Sequence, residues 1–344
     1  MDSKFMRILY IVPEFEEGGA EIHVLNLINA LLKHDHEITL ATTGGKLEAQ
    51  LPEKVHVLHM PAERKNLFTI FYCAMKLSRL NKNFHWDIIH AHSRVPAWVA
   101  WLTSKFTGIK WLMTAHALYS LNPGLIPLKH ADGVICVSEA VKNHLRDYLP
   151  SDYTVIPNGI ILPKLRHKDF PHEHMKFLTV GRLTRLKGLD VVLRALAGLK
   201  NYEWTLDILG EGPQHEELEI LSHELDLDQR VNFHGDTSKD DVDLFMAKSS
   251  CLLFPSYQEG MGLVVLEALA SGLPVIASDL EALHEIAQGE LIPAGDVGKW
   301  QEAIKKFMIE GVASPLSFDK VITIDEMARE IVEYYSQILL RDRQ

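Results

Sequence analysis

From end to end, short apolar runs alternate with stretches whose apolar residues recur at three- and four-residue spacing. In the first half the runs Arg7–Val12, Glu37–Ala41, Val55–Leu58, Asp87–His90, Lys110–Thr114, Gly133–Val137 and Thr154–Ile156 predict strands. The stretch Ala20–His34 predicts a helix with Ile22, Leu25, Ile28 and Leu32 on one face. The alternation stops across Pro157–His174, which holds Pro157, Asn158, Gly159, Pro163 and Pro171 and has no sustained apolar period. His167, His172 and His174 read there as solvated linker. The pattern restarts with Lys176–Val180, Trp204–Leu209, Val231–Phe233, Cys251–Phe254 and Pro274–Ala277. Strands alternating with helices of this length predict parallel sheets built from right-handed βαβ units. Two such series predict an α/β protein with two tandem Rossmann-like, doubly wound domains, over residues 1–165 and 170–322. The final amphipathic stretch Ile324–Leu340 carries Met327, Ile331, Tyr334, Tyr335 and Ile338 on one side. The segment 324–344 caps the second domain or crosses back onto the first, and the pattern leaves both open.

A length of 344 residues agrees with about two domains. An apolar fraction of 47% and a charged fraction of 24% exclude a disordered, collagenous or disulfide-scaffold protein. Cys73, Cys136 and Cys251 each sit in an apolar run and read as buried, reduced thiols. The amino-terminal apolar run ends at Val12 and is followed by Glu14, Glu16 and Glu17, which does not fit a signal peptide. No stretch reaches the ~18 apolar residues of a membrane span. These features predict a cytoplasmic protein. The net charge of −11 argues against nucleic acid as a main partner. Residues 1–160 carry 16 basic and 15 acidic residues, whereas 161–344 carry 19 and 31, so the acidic excess lies wholly in the second half.

Open parallel sheets bind ligands beyond the carboxyl ends of their strands. The chemically unusual residues cluster there. Gly18, Gly19 and Glu21 follow the first strand, His92 follows Asp87–His90, and His116 follows Lys110–Thr114. In the second half Gly181, Arg182, Arg185 and Lys187 follow Lys176–Val180, and the turn Gly210-Glu211-Gly212-Pro213 follows Trp204–Leu209. His234 and Gly235 follow Val231–Phe233, and Pro255–Gly262 follows Cys251–Phe254. If the two edges face one another, they wall an interdomain cleft. Glu259, Gly260, Met261, Gly262 and Leu263 open a helix whose glycines and free N–H groups suit a phosphate. Arg182 and Lys187 supply cations from another loop of the same edge, the arrangement expected for a diphosphate. Glu267, eight residues after Glu259, can accept hydrogen bonds from a ribose diol, and Glu259 can reach hydroxyls of whatever the diphosphate carries.

The stretch Phe254–Ala268, with its E-x7-E spacing, resembles the signature of retaining glycosyltransferases of family 4. So do Val180-Gly181-Arg182-Leu183 with Lys187-Gly188, Gly210–Pro213, Val231–Gly235, Val155–Ile160 and Gly18-Gly19-Ala20-Glu21. No member is specific alone; the ordered set is. Met261 departs from the Phe common in that family, at a position where only backbone is expected to bind. The resemblance implies the two-domain glycosyltransferase-B fold, with a nucleotide sugar held mainly by the second domain. It places Arg182 and Lys187 on the diphosphate and Glu267 on the ribose, with Glu259 and the backbone of Gly260–Leu263 on sugar and phosphate. Gly19, Gly210, Gly212 and His234 join the donor side, and Gly18, Gly19, Glu21 and His92 the acceptor side. His116 matches the active-site histidine beside the transferring sugar, so His116, Glu259, Arg182 and Lys187 form the catalytic set.

No metal or other cofactor is implied. His90 and His92 share a strand face, but no cysteine or carboxylate partner is evident for an ion. The nucleotide diphosphate is expected to leave once its charge is held, with the sugar becoming oxocarbenium-like, and the resemblance to a retaining family implies that the acceptor hydroxyl attacks from the vacated face. A paired-carboxylate hydrolase would need two acids flanking the sugar. A nicotinamide dehydrogenase would want Gly-x-Gly-x-x-Gly where the chain reads Glu17-Gly18-Gly19-Ala20-Glu21. An epimerase or sugar phosphorylase on the same fold, or a non-catalytic relative, stays as the alternative. A UDP-sugar is favoured as donor. By family analogy the acceptor is a carbohydrate or lipid-linked molecule of cell-surface polysaccharide, lipopolysaccharide or glycolipid synthesis.

Lys65–Lys82 predicts a basic amphipathic helix, with Leu67, Phe68, Phe71, Ala74, Met75 and Leu80 on one flank and Lys65, Lys76, Arg79 and Lys82 at its edges. Trp98, Trp101, Phe106 and Trp111, with Arg94, Lys105 and Lys110, add to that character. The stretch covers the first sheet as an ordinary helix, or docks the first domain on the anionic inner face of the cell membrane.

Overall fold

The computed structural model describes residues 5–16, 18–165, 174–286, 290–311 and 322–341. The expectations for Glu17, His167, Pro171 and His172 lie outside them. The chain divides into two units, Met1–Gly159 with Ile322–Gln344, and Ile160–Val321.

Unit 1 contains β1 (Arg7–Ile11), α1 (Gly19–Leu32), β2 (Glu37–Thr42), β3 (His56–His59), α2 (Leu67–Phe84), β4 (Ile88–His92), α3 (Arg94–Thr107), β5 (Lys110–Ala115), β6 (Gly133–Cys136), α4 (Glu139–Leu145) and β7 (Tyr153–Val155). Its strands are all parallel in the order β3-β2-β1-β4-β5-β6-β7. The strands are short apolar runs because helices cover both faces: Ile8, Leu9, Ile88, Ile89, Leu112 and Met113 are all fully buried. Unit 2 contains β8 (Met175–Val180), α5 (Leu189–Ala197), β9 (Trp204–Leu209), α6 (His215–Glu224), β10 (Val231–Gly235), α7 (Lys239–Lys248), β11 (Cys251–Phe254), α8 (Leu263–Ser271), β12 (Val275–Ala277), α9 (Glu281–His284) and α10 (Val297–Glu310). Its parallel sheet has the order β10-β9-β8-β11-β12. Both sheets reverse their winding once, between β1 and β4 and between β8 and β11, and such a switch point is where the loops part and a ligand can enter.

The carboxyl-terminal helix α11 (Ile324–Leu340) packs on unit 1. A capping box starts it: the Glu326 amide donates to Thr323 Oγ1, and the Thr323 amide donates to Glu326 Oε2. Met327, Ile331, Tyr335 and Ile338 then join the core formed by Ile8, Tyr10, Ile28 and Leu31. The buried hydroxyls of Tyr10 and Tyr335 meet at 2.9 Å, so each satisfies the other. Packing from α11 also changes the reading of α1. Ile22, expected inward, is 42% exposed, while His23, Val24, Leu25, Leu27, Ile28, Ala30 and Leu31 are buried, because α1 lies between the sheet and α11 and is covered on more than one face.

Two strands run further than the apolar runs indicated. His92 is the last residue of β4, paired with Thr114, and not part of the following loop. His234 and Gly235 belong to β10, whose register shifts after Phe233 so that Gly235 can bridge Gly210. Cys73, Cys136 and Cys251 are all free and buried. No described helix is long and apolar enough to cross a membrane.

Candidate functional site

In unit 2 the loops leaving β8 and β11 meet at the switch point. The Tyr257 amide donates to the Leu186 carbonyl at 2.8 Å. Gly188 makes the approach possible. Its φ is +62°, and a Cβ there would stand 2.3 Å from the Pro255 carbonyl oxygen, so a side chain is excluded as well as strained. The join carries Lys187 over the second loop. Lys187 Nζ lies 2.5 Å from Glu259 Oε1 and 5.6 Å from the centre of the Phe254 ring. Ser256 Oγ donates to the same carboxylate oxygen at 2.8 Å. Glu259 is therefore oriented from two sides, and Lys187 is held between a carboxylate and an aromatic face. A small cavity beside Lys187 is lined by Gly181, Phe254, Pro255 and Ser256. Arg182, on the Lys187 loop, is exposed and has no side-chain partner among the described residues.

Gly262 precedes α8, and no side chain caps the helix start at Leu263, so its leading N–H groups are open to an anion. Met261 is buried. Gly260 lies in the same turn. Glu267, the fifth residue of α8, is committed in a way the sequence did not reveal. Its Oε1 lies 3.0 Å from Lys239 Nζ, and Lys239 also meets Asp243 Oδ1 at 2.9 Å. Burial raises the Glu267 pKa; the Lys239 cation offsets part of that, and Asp243 adds to it. For Lys239, burial works to lower the pKa, but the charges of Glu267 and Asp243 outweigh it. Lys239 meets the carboxylate through Oε1.

The turn at Gly210 and Gly212 knits the neighbouring strand ends. Gly210 N–H donates to the Gly235 carbonyl at 2.8 Å, and Leu183 N–H donates to the Glu211 carbonyl at 2.9 Å. His234 is not brought to the Lys187–Glu259 pair. Its Nε2 lies 2.8 Å from Asp207 Oδ1 and its ring leans on Phe245, with centroids 4.6 Å apart. Sequence reasoning missed Lys239 and Asp207 as partners of Glu267 and His234, because they come from other elements that no local spacing links; Ser256, three residues before Glu259 in the same loop, was within reach of the spacing and was passed over.

In unit 1 the loops after β1, β4 and β5 carry the acceptor-side candidates. Gly18 and Gly19 open α1, and Glu21 folds back over them: a Cβ on Gly18 would stand 2.2 Å from Glu21 Oε2. The carboxylate thus covers the positive end of α1. His92 and His116 meet directly, Nδ1 to Nε2 at 2.9 Å. His23, in the early turns of α1, packs its ring against both. The sequence reading passed over His23 because it looks inward from a helix; its signal was the spacing of four residues after Gly19. After His92 the chain turns into α3 through Ser93 at φ +91°, a strained conformation of the sort found at functional sites. His90 packs its ring against His92, with centroids 4.2 Å apart, but its Nδ1 is 2.5 Å from the Tyr335 hydroxyl and its Nε2 2.7 Å from Thr114 Oγ1, which uses up both nitrogens. Burial lowers the pKa of all four imidazoles, and their mutual repulsion adds to this for His90, His92 and His116. His23 is pushed down to about 4.

The sequence profile of Glycosyltransferase Family 4 matches residues 17–162, and that of glycosyl transferases group 1 matches residues 164–320. A glycosyltransferase of Methanocaldococcus jannaschii is 30% identical over 283 residues, covering 78% of this chain and 77% of its own. Among solved structures, a glycosyltransferase from Rickettsia africae superposes with a TM-score of 0.84 at 24% identity, over 98% of this chain and 99% of the other. HepE of Anabaena in complex with UDP-glucose does so with a TM-score of 0.75 at 19% identity, over 98% of each chain. The chain belongs to glycosyltransferase family 4: it is a glycosyltransferase with two doubly wound units that acts on a nucleotide sugar.

Proposed function

We propose that the enzyme is a retaining hexosyltransferase that needs no metal and uses a UDP-sugar. Its product is a cell-surface polysaccharide, lipopolysaccharide or glycolipid. The observation that carries this reading is the pairing of Lys187 with Glu259, on two locked loops that also bear the unpartnered Arg182 and the uncapped start of α8. A diphosphate placed there meets two cations and a helix N-terminus, a set of donors that gains most when charge develops on the leaving oxygen. Lys187 then exchanges part of its contact with Glu259 for phosphate, and Glu259 is released toward the sugar hydroxyls. The second oxygen of Glu267 accepts from the ribose, while the Lys239 cation opposes the burial that raises the carboxyl's pKa. His116 serves the transferring sugar, with His92 holding its ring; Gly18, Gly19 and Glu21 serve the acceptor side. The departing phosphate oxygen takes the acceptor proton, so no side chain acts as a covalent nucleophile. The likeness to a structure that holds UDP-glucose supports uridine as the base.

The test is nucleotide release from a panel of UDP-, GDP- and ADP-sugars, with the product's anomeric configuration read by NMR. Release of UDP, retention at the anomeric carbon and full activity in EDTA are expected. An inverted product, or activity that returns only with a divalent ion, would contradict the reading.

The acceptor is proposed to be lipid-linked and reached from an anionic bilayer. Leu67, Phe68, Phe71 and Tyr72 of α2 are 74%, 86%, 53% and 56% exposed. Phe106 of α3 packs edge-to-face on Phe71 at 5.9 Å and is itself 47% exposed. Arg64, Lys65 and Lys105 stand exposed around this apolar patch, a pattern that suits a headgroup layer. Two parts of the sequence reading are corrected. Ala74 belongs to the face of α2 buried against the unit, with Ile70, Cys73 and Leu77. Trp111 is a core residue of β5, and Lys110 is paired with Asp132. Flotation with anionic liposomes should show binding at low salt that weakens at high salt. It should also be lost when Phe68 and Phe71 become Ser, or when Lys76, Arg79 and Lys82 become Glu. Protein that stays unbound at low salt ends the proposal.

A further inference from the structure

We infer that His23, His92 and His116 form a reversible binding site for a d-block divalent cation such as Zn2+, and that the bound ion inhibits transfer. Potential ligand atoms on the three side chains all lie within 4.8 Å of one another. Their ring centroids are 4.8, 5.2 and 5.7 Å apart. Three imidazoles bound tetrahedrally at about 2.0–2.1 Å from one ion place their centroids about 5 Å apart, so the rings already stand where a shared ion requires them. Each comes from a different element, α1, the end of β4 and the residue after β5, and all three elements are fixed by the core at the switch point of the sheet.

A purely structural cluster would be expected to satisfy its nitrogens. Here Nε2 of His92 and Nδ1 of His116 have no hydrogen-bond partner, although His92 is only 1% exposed, and buried His23 has the Asn158 side chain as its polar neighbour. The nitrogens of His92 and His116 that face one another, Nδ1 and Nε2, share a single hydrogen bond of 2.9 Å; a Lewis acid entering there would replace it and take a nitrogen of His23 as a third ligand. Imidazoles without a carboxylate suit Zn2+, Ni2+, Co2+ or Cu2+ and serve Mg2+ and Ca2+ poorly. Resident metal sites fix their histidines through carboxylates or carbonyls on the outer nitrogens. No such partner holds Nε2 of His92 or Nδ1 of His116, and the polar neighbour of His23 is a neutral amide, Asn158, which marks the site as one for an exchangeable ion. The ion would draw on a lone pair of His116, and it would tie α1 to β4 and β5. The inhibitory half of the inference rests on the reaction role proposed above for His116; the binding half does not.

Titration with Co2+ separates the two halves, because its absorption reports tetrahedral nitrogen ligation on the resting protein without any turnover. One Co2+ per chain is expected, displaced by Zn2+, with affinity weakened more than about tenfold in His23→Gln. His23→Phe keeps a buried ring without a ligand and should lose the ion equally, which guards against a folding defect in one variant. In the transferase assay Zn2+ should inhibit the wild type and EDTA should restore it, while His23→Gln keeps its activity and ignores Zn2+. Absence of Co2+ uptake by the wild type, or uptake by both His23 variants as tight as the wild type's, overturns the site. Uptake that His23 controls without any effect on turnover overturns the inhibition. An enzyme with no activity on any donor would defeat the proposed function while leaving the Co2+ result to stand or fall alone.

Discussion

Arg182→Ala should lower kcat/KM for the donor by about 10²-fold while leaving the melting temperature unchanged, as expected when a group that holds leaving-group charge is removed. The substitution is clean because Arg182 is exposed and nothing in the described structure depends on it. Lys187→Ala should cost a similar factor but is less simple. It strips Glu259, whose side chain is only 14% exposed, of its cation, and so leaves a largely buried carboxylate without a counter-charge, though Ser256 still donates to it. A fall in stability is expected there and not in Arg182→Ala. Steady-state kinetics of both variants beside thermal melts decide the matter. Unchanged kcat/KM in two folded variants would remove the diphosphate site.

Much of the frame around these residues was legible before the structure. The parallel sheets follow from apolar runs of strand length separated by amphipathic helices, and residues that could do chemistry already fell at the carboxyl ends. What the pattern could not carry was the partner of each special residue. Glu267 looked free in an apolar helix, yet Lys239 reaches it from α7 and is itself shared with Asp243. His234 looked like a loop residue, yet β10 continues through it and Asp207 on the next strand takes its ring. The place of α11 was undecidable for the same reason. Tyr335 meets Tyr10 and His90 across more than two hundred residues of sequence, and an amphipathic stripe says that a partner exists without saying which.

Unit 1 should lose stability steeply as pH falls below about 6.5, the ordinary histidine value. The sign follows from the direction of the shifts. His23, His90, His92 and His116 are held neutral in the folded state with depressed pKa values. Below 6.5 the unfolded chain therefore binds protons that the folded chain cannot, and unfolding is favoured as pH drops. Each such histidine contributes about 1.4 kcal/mol per pH unit until its folded value is reached. For His23, at about 4, this amounts to roughly 3 kcal/mol over the whole window. A domain of ordinary stability, about 5–15 kcal/mol, cannot absorb several such terms. Urea unfolding should show a much lower midpoint for unit 1 at pH 5.5 than at pH 7.5, and His23→Gln should flatten that dependence by about one proton. Equal midpoints at the two pH values would mean that the cluster is not held neutral.

The central claim is that the carboxyl edge of the unit 2 sheet holds the nucleotide of the donor. Calorimetric titration tests it most directly, because binding needs neither acceptor nor chemistry. Wild-type enzyme and Glu267→Ala would each be titrated with UDP, GDP and ADP, with folding checked by melting. The account predicts that the wild type binds UDP and that Glu267→Ala weakens this by tenfold or more, about 1.4 kcal/mol, through loss of the ribose acceptor. Equal affinity in the two proteins, or no nucleotide bound by the folded wild type, would contradict it.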